Sequence, residues 1–482
     1  MKKTVSLISL VLSMIFILSA CGNPAYTLMD FINEQEGLTY NYDGYEFVYL
    51  FDKGSGEDAW DKETHTLRYK KGTIEGDAMM ARIAQIEKDI NVKIVLDPSM
   101  SYEQFQIAAS TGAVKADMIN YGYMNAMSMF ADAGYLEPID RFPEFIDLSD
   151  EDKYGGANVL EPAMIDSVPY AVSPLYWPGN QAVACFVLVY NKDLVLSNGI
   201  TDFHEFYENK TWTWDTFENE FLAKAKAETS SGYLPALETD TRKYFDMLMY
   251  SNNTQFVKKN DAGENIVTLY PQEFQTAYEK GLEWSKEYKE TIILKDELSD
   301  NKAFISGNTI TALCGAGDVV TGDIAYSENQ LNYGIMPFPA GPDAPYGTWA
   351  QFMERSNGYG IPVVSQAPDI SAHVISLLFE PFEEMGGRAG LYDYYNNFVF
   401  SDEIDTEIYF DLGKHVRYDY TFVNQNDVGR EVAFNFGNSI MNGIGISEAM
   451  EKYQNSMVDL VHNSIVPNFD YMYENYYYQF DN

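Results

Sequence analysis

The chain has 482 residues, 46% of them hydrophobic and 22% charged, so it is too long for one core and is expected to form more than one folded unit. Its 72 acidic residues against 32 lysines and arginines give a net charge of −40, which argues against binding to nucleic acid or docking on anionic lipid. With only three cysteines and five histidines, the sequence excludes a disulfide framework and gives no support to a metal centre or a cofactor.

The first residues predict export from the cytoplasm. Lys2 and Lys3 precede an apolar run from Val5 to Leu18, which is shorter than a membrane-spanning helix and is typical of a secretory signal. The segment Leu18-Ser19-Ala20-Cys21 resembles the lipobox of bacterial lipoproteins. That resemblance implies cleavage before Cys21, acylation of its thiol and anchoring to the outer face of the cell membrane. An ordinary signal peptide with a chance cysteine is the alternative.

The chain next alternates between strand and helix patterns. After a polar tether at 21–44, residues 45–51 predict a strand, and 79–90 predict a helix with apolar side chains on one face. A strand at 92–96, a helix that begins near Tyr102 and a strand at 116–120 follow. This order is typical of an α/β layer with a parallel sheet.

The same alternation continues through the second half of the chain. The predicted elements are a strand at 182–190, a helix at 215–227, a hairpin turn at 260–263, a helix at 271–290, a strand at 309–313 and a helix capped by Ser447. Local side chains support these boundaries. Asn191 is expected to form a turn after the buried strand, and Thr213 is expected to cap the helix that Trp214 begins.

Five segments together resemble the extracellular solute-binding proteins of ABC importers, in particular the sugar-binding group called family 1. They are Asp166–Val172 (like G-K-x-Y-G-V-P), Leu188–Leu194 (like L-x-Y-N-K-D-L), Thr213–Phe217 (like T-W-D-E-F), Ala303–Asn308 (like A-F-x-S-G-K) and Tyr333–Pro339 (like x-G-V-A-P-L-P). No single segment is specific, but their order and their position behind a lipobox are typical of the family. Each also has a local structural explanation, so they indicate the scaffold and not contacts with a solute.

The resemblance implies an α/β, two-lobed periplasmic-binding-protein-like fold of type II, with the ligand cleft between the lobes. Carried onto this sequence, the signal peptide is 1–20 and the lipid-anchored tether is 21–44. Lobe one takes 45–181 plus 334–385, and lobe two takes 182–333 plus 386–482. Solute contacts are then expected at the carboxyl ends of strands and in the adjoining loops.

The resemblance also directs attention to aromatic and polar side chains in those loops, because sugars present both apolar faces and hydroxyl edges. The candidates are Asp52, Trp60, Asn120, Tyr121, Tyr123, Tyr176, Trp177, Asn180, Asp318 and Trp349. Trp177 and Trp349 are expected to stack on the solute from opposite sides, as loop aromatics of lobe one that carry little of the core. Many family members have a tryptophan after the glycine at the Gly315 position, where this chain has Ala316.

Two further patterns are given structural explanations. The acidic segment from Asp150 to Glu161 is spaced like a calcium-binding loop, but Tyr154 stands where an oxygen ligand is needed, so a solvated turn is favoured. Cys185 and Cys314 lie in apolar strands, where buried free thiols are common, and the family topology leaves a disulfide between them conceivable but not favoured.

The sequence therefore predicts a binding protein and not an enzyme. It is expected to capture a small solute, in particular a carbohydrate or oligosaccharide, and deliver it to ABC permease subunits, with a membrane contact through lipid only. A secreted glycan hydrolase is the alternative of another class, although no motif singles out its pair of carboxylates. A third possibility keeps the scaffold and binds a cation such as a polyamine.

Overall fold

The computed structural model describes residues 40–51, 74–121, 127, 130–165, 167–174, 186–227, 235–260, 265–295, 301–320, 324–325, 331–347, 349, 351–353, 357–382, 387–413, 416–418 and 427–461. Its strands are β1 (Tyr45–Phe51), β2 (Val92–Asp97), β3 (Met118–Asn120), β4 (Met164–Ile165), β5 (Val168–Pro169), β6 (Phe186–Asn191), β7 (Leu237–Asp240), β8 (Val257–Lys259), β9 (Asn265–Val267), β10 (Ile292–Lys295), β11 (Thr311–Gly315), β12 (Tyr333–Met336), β13 (Gln351–Met353) and β14 (Val416–Tyr418).

The helices alternate with these strands along the chain. They are α1 (Ile74–Asp89), α2 (Tyr102–Ser110), α3 (Glu151–Tyr154), α4 (Ala157–Leu160), α5 (Lys192–Ser197), α6 (Phe203–Glu208), α7 (Trp214–Thr216), α8 (Ala223–Ala227), α9 (Thr241–Ser251), α10 (Gln272–Glu287), α11 (Lys302–Ile305), α12 (Pro368–Leu378), α13 (Gly387–Tyr394), α14 (Glu403–Gly413), α15 (Asp427–Met441) and α16 (Ile446–Leu460). Short 3-10 turns lie at Ile139–Arg141 and Glu161–Ala163, and π-helical segments at Phe217–Leu222 and Tyr395–Val399.

Two separate sheets organise the molecule. The first has the order β2-β1-β3, and its three strands are parallel. The second has the order β10-β7-β11-β6-β12, in which β6 runs antiparallel to both of its neighbours while β7, β10 and β11 are parallel. All six residues of β6 are buried, which explains why its sequence is a continuous apolar run.

Local sequence determines most of these elements. Thr213 accepts a hydrogen bond from the Thr216 amide, so its predicted cap is confirmed. Asn191, predicted to form a turn, accepts from the Leu194 amide and is the N-cap of α5. The hairpin is confirmed by the antiparallel pair β8 and β9. The helix predicted to start after Ser447 instead begins at Ile446, with Gly445 as its N-cap.

The packing of the long helix α10 requires a glycine. Its buried face carries Phe274, Tyr278 and Trp284 at helical spacing. A Cβ at Gly281 would lie 2.5 Å from Cε1 of Phe245 on α9. The two helices can therefore approach closely only because residue 281 has no side chain.

The lobe boundary predicted at residue 334 is wrong. Residues 333–336 form β12 and pair with β6 in the second sheet. The following residues stay on that sheet, because Trp212 Nε1 donates to the Pro337 carbonyl at 2.9 Å. Among the described residues after β12, Tyr359 and Gly360 are the first to bridge the other layer, through Val172 and Ile119. The family resemblance gave this boundary, and the short segment Tyr333–Met336 does not itself indicate which sheet it joins.

The last segment before residue 383 is held to the first sheet's layer. Arg82 Nη2 on α1 donates to the Pro381 carbonyl at 2.6 Å, and its guanidinium lies 4.3 Å from the centre of the Phe382 ring. From residue 387 onward, α14 packs on β12 and α15 packs on α9, both in the layer of the second sheet. The chain thus passes between the two layers more than once. The other predicted lobe limits stay predictions.

A buried carboxylate joins distant parts of the second layer. The Asp405 side chain on α14 is 1% exposed and accepts from the Ile335 amide at 2.7 Å. Lys192 Nζ lies 3.0 Å from Asp405 Oδ2 and His204 Nε2 lies 3.0 Å from Oδ1. Burial alone would lower the pKa of Lys192, but Asp405 and the exposed Asp402 raise it above its ordinary value.

We expect Asp405→Asn to lower the free energy of unfolding by about 3 kcal/mol, because it leaves the largely buried Lys192 without its main counter-charge. Asp402→Asn is the matched control, since Asp402 binds the same ammonium group at 3.1 Å but is 54% exposed, and it should cost less than about 1 kcal/mol. Urea unfolding of both variants measures the difference. Equal losses would contradict the structural role given to Asp405.

A half-buried histidine fixes the first described residues to the first layer. Tyr42 Oη lies 2.8 Å from His373 Nδ1 on α12, and the Phe145 ring stacks on the imidazole with centroids 4.6 Å apart. Burial, helped by the charge of Lys153, lowers the pKa of His373 from 6.5 to about 4. The imidazole is therefore neutral near pH 7.

Since the unfolded chain protonates His373 near pH 6.5 and the folded chain only near 4, its contribution to stability is complete above pH 6.5 and is lost as the pH falls towards 4. The loss should reach roughly 3 kcal/mol. His373→Gln should flatten the fall in unfolding free energy between pH 6.5 and 4, measured by urea titrations at several pH values. An unchanged pH slope in the variant would rule this group out.

Candidate functional site

The carboxyl edge of the second sheet brings three strand ends together. β7 ends at Asp240 and β11 ends at Gly315, and the two strands are parallel. β6 is antiparallel, so its first residue, Phe186, pairs with Gly315 at the same edge. Ligands of open α/β sheets bind at such carboxyl edges. Side chains on these three ends are therefore candidates for solute contact.

Two buried ion pairs lie at this edge, where α9 begins. Lys243 Nζ is 3.2 Å from Asp240 Oδ2, and Arg242 Nε is 3.1 Å from Asp246 Oδ2. All four side chains are at most 9% exposed. Asp240 also caps α9 by accepting from the Lys243 amide at 2.8 Å. The backbone amide and the ammonium group of Lys243 therefore hold the Asp240 carboxylate in a fixed place.

Aromatic rings cover the cations of both pairs. Lys243 Nζ lies 5.5 Å from the centre of the Phe186 ring, and Arg242 Cζ lies 4.6 Å from that of Phe434. Cation–π contacts of this kind orient the charged groups and favour their desolvated positions. The edge thus combines paired charges with aromatic surfaces.

Asp318, predicted from the sequence as a site residue, lies at the same edge. Its Oδ2 accepts from the Gly315 amide at 2.9 Å and from Asn301 Nδ2 at 3.4 Å. A Cβ at Gly315 would lie 3.2 Å from the same oxygen, which is a tight contact. The structure therefore places Asp318 beside the end of β11, at the edge where Phe186 pairs with Gly315.

Cys314 directly precedes Gly315 in β11 and is not a nucleophile. It is fully buried, and burial raises the pKa of its thiol well above the ordinary value, with a further increase from Asp318 and an opposing effect of Lys243. It is a free cysteine in the described part of the chain. Cys185, its conceivable partner, lies outside the described residues, so the pairing stays untested.

The candidates on the first sheet serve packing in this structure. Asn120 is 1% exposed, and its Nδ2 donates to the Gly358 carbonyl at 2.8 Å. Tyr121 is 3% exposed, and its ring lies against Phe105 with centroids 5.2 Å apart. Both side chains therefore hold β3 to its neighbours.

The expectation that Trp349 carries little of the core is wrong. Its side chain is 5% exposed, its Nε1 donates to Asp411 Oδ2 at 3.1 Å, and its ring stacks on Tyr207 with centroids 5.7 Å apart. Tyr207 belongs to α6 and Asp411 to α14, and both helices pack on β12 of the second sheet. Trp349 has φ +25°, in the left-handed region that bulky residues rarely adopt. Its contacts are with the second lobe, not with lobe-one loops.

The remaining sequence candidates lie outside the described residues. They are Cys21, Asp52, Trp60, Tyr123, Tyr176, Trp177 and Asn180. No statement about their geometry follows, and their roles remain predictions.

Sequence reasoning missed the group that begins α9. Asp240, Arg242 and Lys243 occur in the stretch Leu237-Glu238-Thr239-Asp240-Thr241-Arg242-Lys243. An acid and two bases at the end of the short segment Leu237-Glu238-Thr239 were the available signal. The strand has only four residues, which is too short for alternation to distinguish it from a loop. Asn301 gave no signal, since an asparagine before a short helix is ordinary.

A different cluster could hold a metal ion by geometry. The ligand atoms of His204, Asp402 and Asp405 lie within 4.8 Å of one another. Lys192 Nζ, however, is within 3.1 Å of both carboxylates. The ammonium group is already the cation of this cluster, so the residues do not fit a metal site.

Among the described helices, none is long and apolar enough to cross a membrane.

Known structures share this architecture over most of the chain. A sugar transporter from Rhizobium etli, solved in an open conformation, aligns with TM-score 0.62 and 14% identity over 87% of this chain and 100% of its own. The sugar-binding protein MalE from Xanthomonas citri aligns with TM-score 0.61 and 14% identity over 89% and 99%. The GacH receptor of Streptomyces glaucescens, solved unliganded and with acarbose, aligns with TM-score 0.59 and 17% identity over 87% and 99%.

At these identities the likeness concerns the fold, and it confirms the two-lobed α/β fold of type II with a cleft between the lobes. Comparison with curated proteins gives no match. The sequence profile of the family described as bacterial extracellular solute-binding protein matches residues 81–381, which is more than half of the chain. The chain therefore belongs to the bacterial extracellular solute-binding proteins.

Proposed function

We propose that this protein captures a carbohydrate outside the cytoplasm and delivers it to the permease subunits of an ABC importer. The observation that carries the proposal is the carboxyl edge of the second sheet, where paired charges and aromatic rings surround Gly315. Solved structures of the same fold are described as sugar-binding or sugar-transport proteins, which supports the solute class.

The charge balance of the edge favours a neutral polyhydroxyl solute. Lys243 and Arg242 each have a carboxylate within 3.2 Å, so both cations are paired and the edge offers donors as well as acceptors. Sugar hydroxyl groups donate and accept at once, and they suit such a surface. A polyamine would require uncompensated carboxylates, and an anionic solute would require an uncompensated cation. The structure therefore favours the carbohydrate over the cationic alternative.

The hydrolase alternative finds no support at this edge. A glycosidase requires one carboxylic acid that donates a proton and a second carboxylate across the bond that is cleaved. Asp240 and Asp246 are each bound to a cation, and Asp318 accepts from the Gly315 amide. In these contacts all three carboxylates serve as hydrogen-bond acceptors. We therefore propose binding without catalysis.

The remaining parts of the proposal concern the cleft and the anchor. Trp177, with its neighbours Tyr176 and Asn180, and the candidates Asp52, Trp60 and Tyr123 are proposed to complete the solute site. Cys21 is proposed to carry the lipid that anchors the protein to the outer face of the membrane beside the permease.

The solute class is tested by calorimetry and thermal unfolding with maltotetraose, mannotriose and acarbose, using spermidine and glucuronate as charged comparators. We expect at least one neutral oligosaccharide to bind and to raise the unfolding free energy, by about 2.7 kcal/mol at a hundredfold excess over Kd. Lys243→Met should weaken that binding about tenfold or more, because it removes the ammonium donor that lies 3.2 Å from Asp240 at this edge.

Lys280→Met is the matched control, since Lys280 is also ion-paired, 3.3 Å from Glu218, but it lies on α10, away from β11. Its affinity for the oligosaccharide should equal that of the wild type. Binding of spermidine with no response to any sugar would overturn the carbohydrate proposal. An equal loss of affinity in both lysine variants would show that this edge is not the solute site.

Lipidation is tested by Cys21→Ser. The variant should lose the acyl mass and leave the membrane fraction or remain as the precursor, because serine lacks the thiol nucleophile. Mass spectrometry of the mature amino terminus and membrane fractionation measure this. Cys185→Ser, which keeps the lipobox, should remain anchored. A mature terminus at another residue without acyl mass would contradict the anchor.

A further inference from the structure

We propose that Asn301 is a solute-binding residue whose Oδ1 accepts a hydrogen bond from a hydroxyl group of the bound carbohydrate. This inference rests on the proposed function and names a contact within the same site. Asn301 precedes α11 and lies beside Asp318 at the carboxyl edge of the second sheet. It was not among the residues predicted from the sequence.

The Asn301 side chain is buried, yet one of its polar atoms has no partner. The residue is 8% exposed, and Oδ1 forms no hydrogen bond in the described structure. Its Nδ2 donates to Asp318 Oδ2 at 3.4 Å, which assigns the two ends of the amide. Oδ1 therefore faces away from the carboxylate. A buried acceptor without a donor destabilises a fold, so natural proteins rarely keep one without a reason.

The usual structural role of asparagine at this position does not apply. Asn301 is the N-cap residue of α11, where asparagine ordinarily accepts from an amide in the first turn. Here the side chain makes no capping hydrogen bond, and the backbone has φ +56° in the left-handed region. The residue therefore keeps a less common backbone conformation and gains no cap.

The neighbouring contacts indicate what kind of group can donate a hydrogen bond to Asn301 Oδ1. Asp318 is held by the Gly315 amide, and Lys243 by Asp240, so the adjacent charged groups are already engaged within the protein. No donor among the described residues reaches Oδ1. A sugar hydroxyl donates to Oδ1 and can still accept from a cation at the same edge. Among the probes proposed above, the neutral oligosaccharides present hydroxyl groups without a net charge.

The test is Asn301→Gly, because glycine adopts φ +56° without strain and removes the side-chain amide, both Oδ1 and the Nδ2 that contacts Asp318 at 3.4 Å. Affinity for maltotetraose, mannotriose and acarbose is measured by calorimetry, and thermal unfolding is measured without solute. We expect a threefold to tenfold weaker affinity for the oligosaccharide that the wild type binds, which is the effect of one lost neutral hydrogen bond. The midpoint of thermal unfolding without solute should not fall.

Asn91→Gly is the matched control. Asn91 also has a left-handed backbone, with φ +52°, but it is exposed and its Nδ2 donates to Asn41 Oδ1 at 2.8 Å, next to the amino end of β2. This variant should bind the oligosaccharide with the wild-type affinity. It shows the effect of an asparagine-to-glycine change in the same backbone conformation, far from the edge that carries Asn301.

The possible results separate this inference from the proposed function. A wild type that binds none of the three oligosaccharides overturns the proposed function, and the inference with it. A wild type that binds sugar, with unchanged affinity in Asn301→Gly, overturns the inference alone. A drop of several degrees in the solute-free unfolding midpoint of Asn301→Gly shows a structural residue and also overturns it. Weaker affinity at unchanged stability supports the assignment.

Discussion

The second lobe depends on the compensation of one buried charge. Asp405 reaches across the sequence to the Ile335 amide, 70 positions away, and to Lys192 and His204, which are 213 and 201 positions away. Because the chain leaves this lobe after β13 and returns before α13, no local signal can place α14 on β12. A carboxylate that would be unstable without these partners fixes that position, and it selects one arrangement of segments that are not contiguous in sequence.

The two edges of the second sheet use polar residues differently. At the end where β6 finishes and β12 begins, Lys192 and Asp405 form an ion pair whose role is to stabilise the fold. The opposite edge carries the ion pair of Lys243 and Asp240, the Phe186 ring and the unsatisfied Oδ1 of Asn301. The antiparallel direction of β6 produces this division, because it carries Phe186 to one edge and Lys192 to the other.

Local patterns predicted the elements, but long-range contacts determined the lobes and the site. The buried run of β6, the Thr213 cap and the hairpin were visible because each depends on neighbouring residues. The boundary at 334 failed because pairing between β12 and β6 spans almost the whole lobe. The expectation for Trp349 was wrong for the same reason, since its burial comes from Tyr207 and Asp411 on separate helices. The five similar segments, by contrast, identified the family and its fold.

Buried polar groups in this protein divide according to whether they are satisfied. Asp405 has three donors within 3.0 Å, so its removal would affect folding first. Asn301 Oδ1 has none in the described structure, so the solute-free fold gains little from it. A receptor that binds and releases its solute requires some interactions that are completed only in the complex. The unsatisfied acceptor destabilises the free protein slightly, and in the proposed complex the solute removes that penalty. The same atom then contributes to affinity at a small cost in the stability of the free protein.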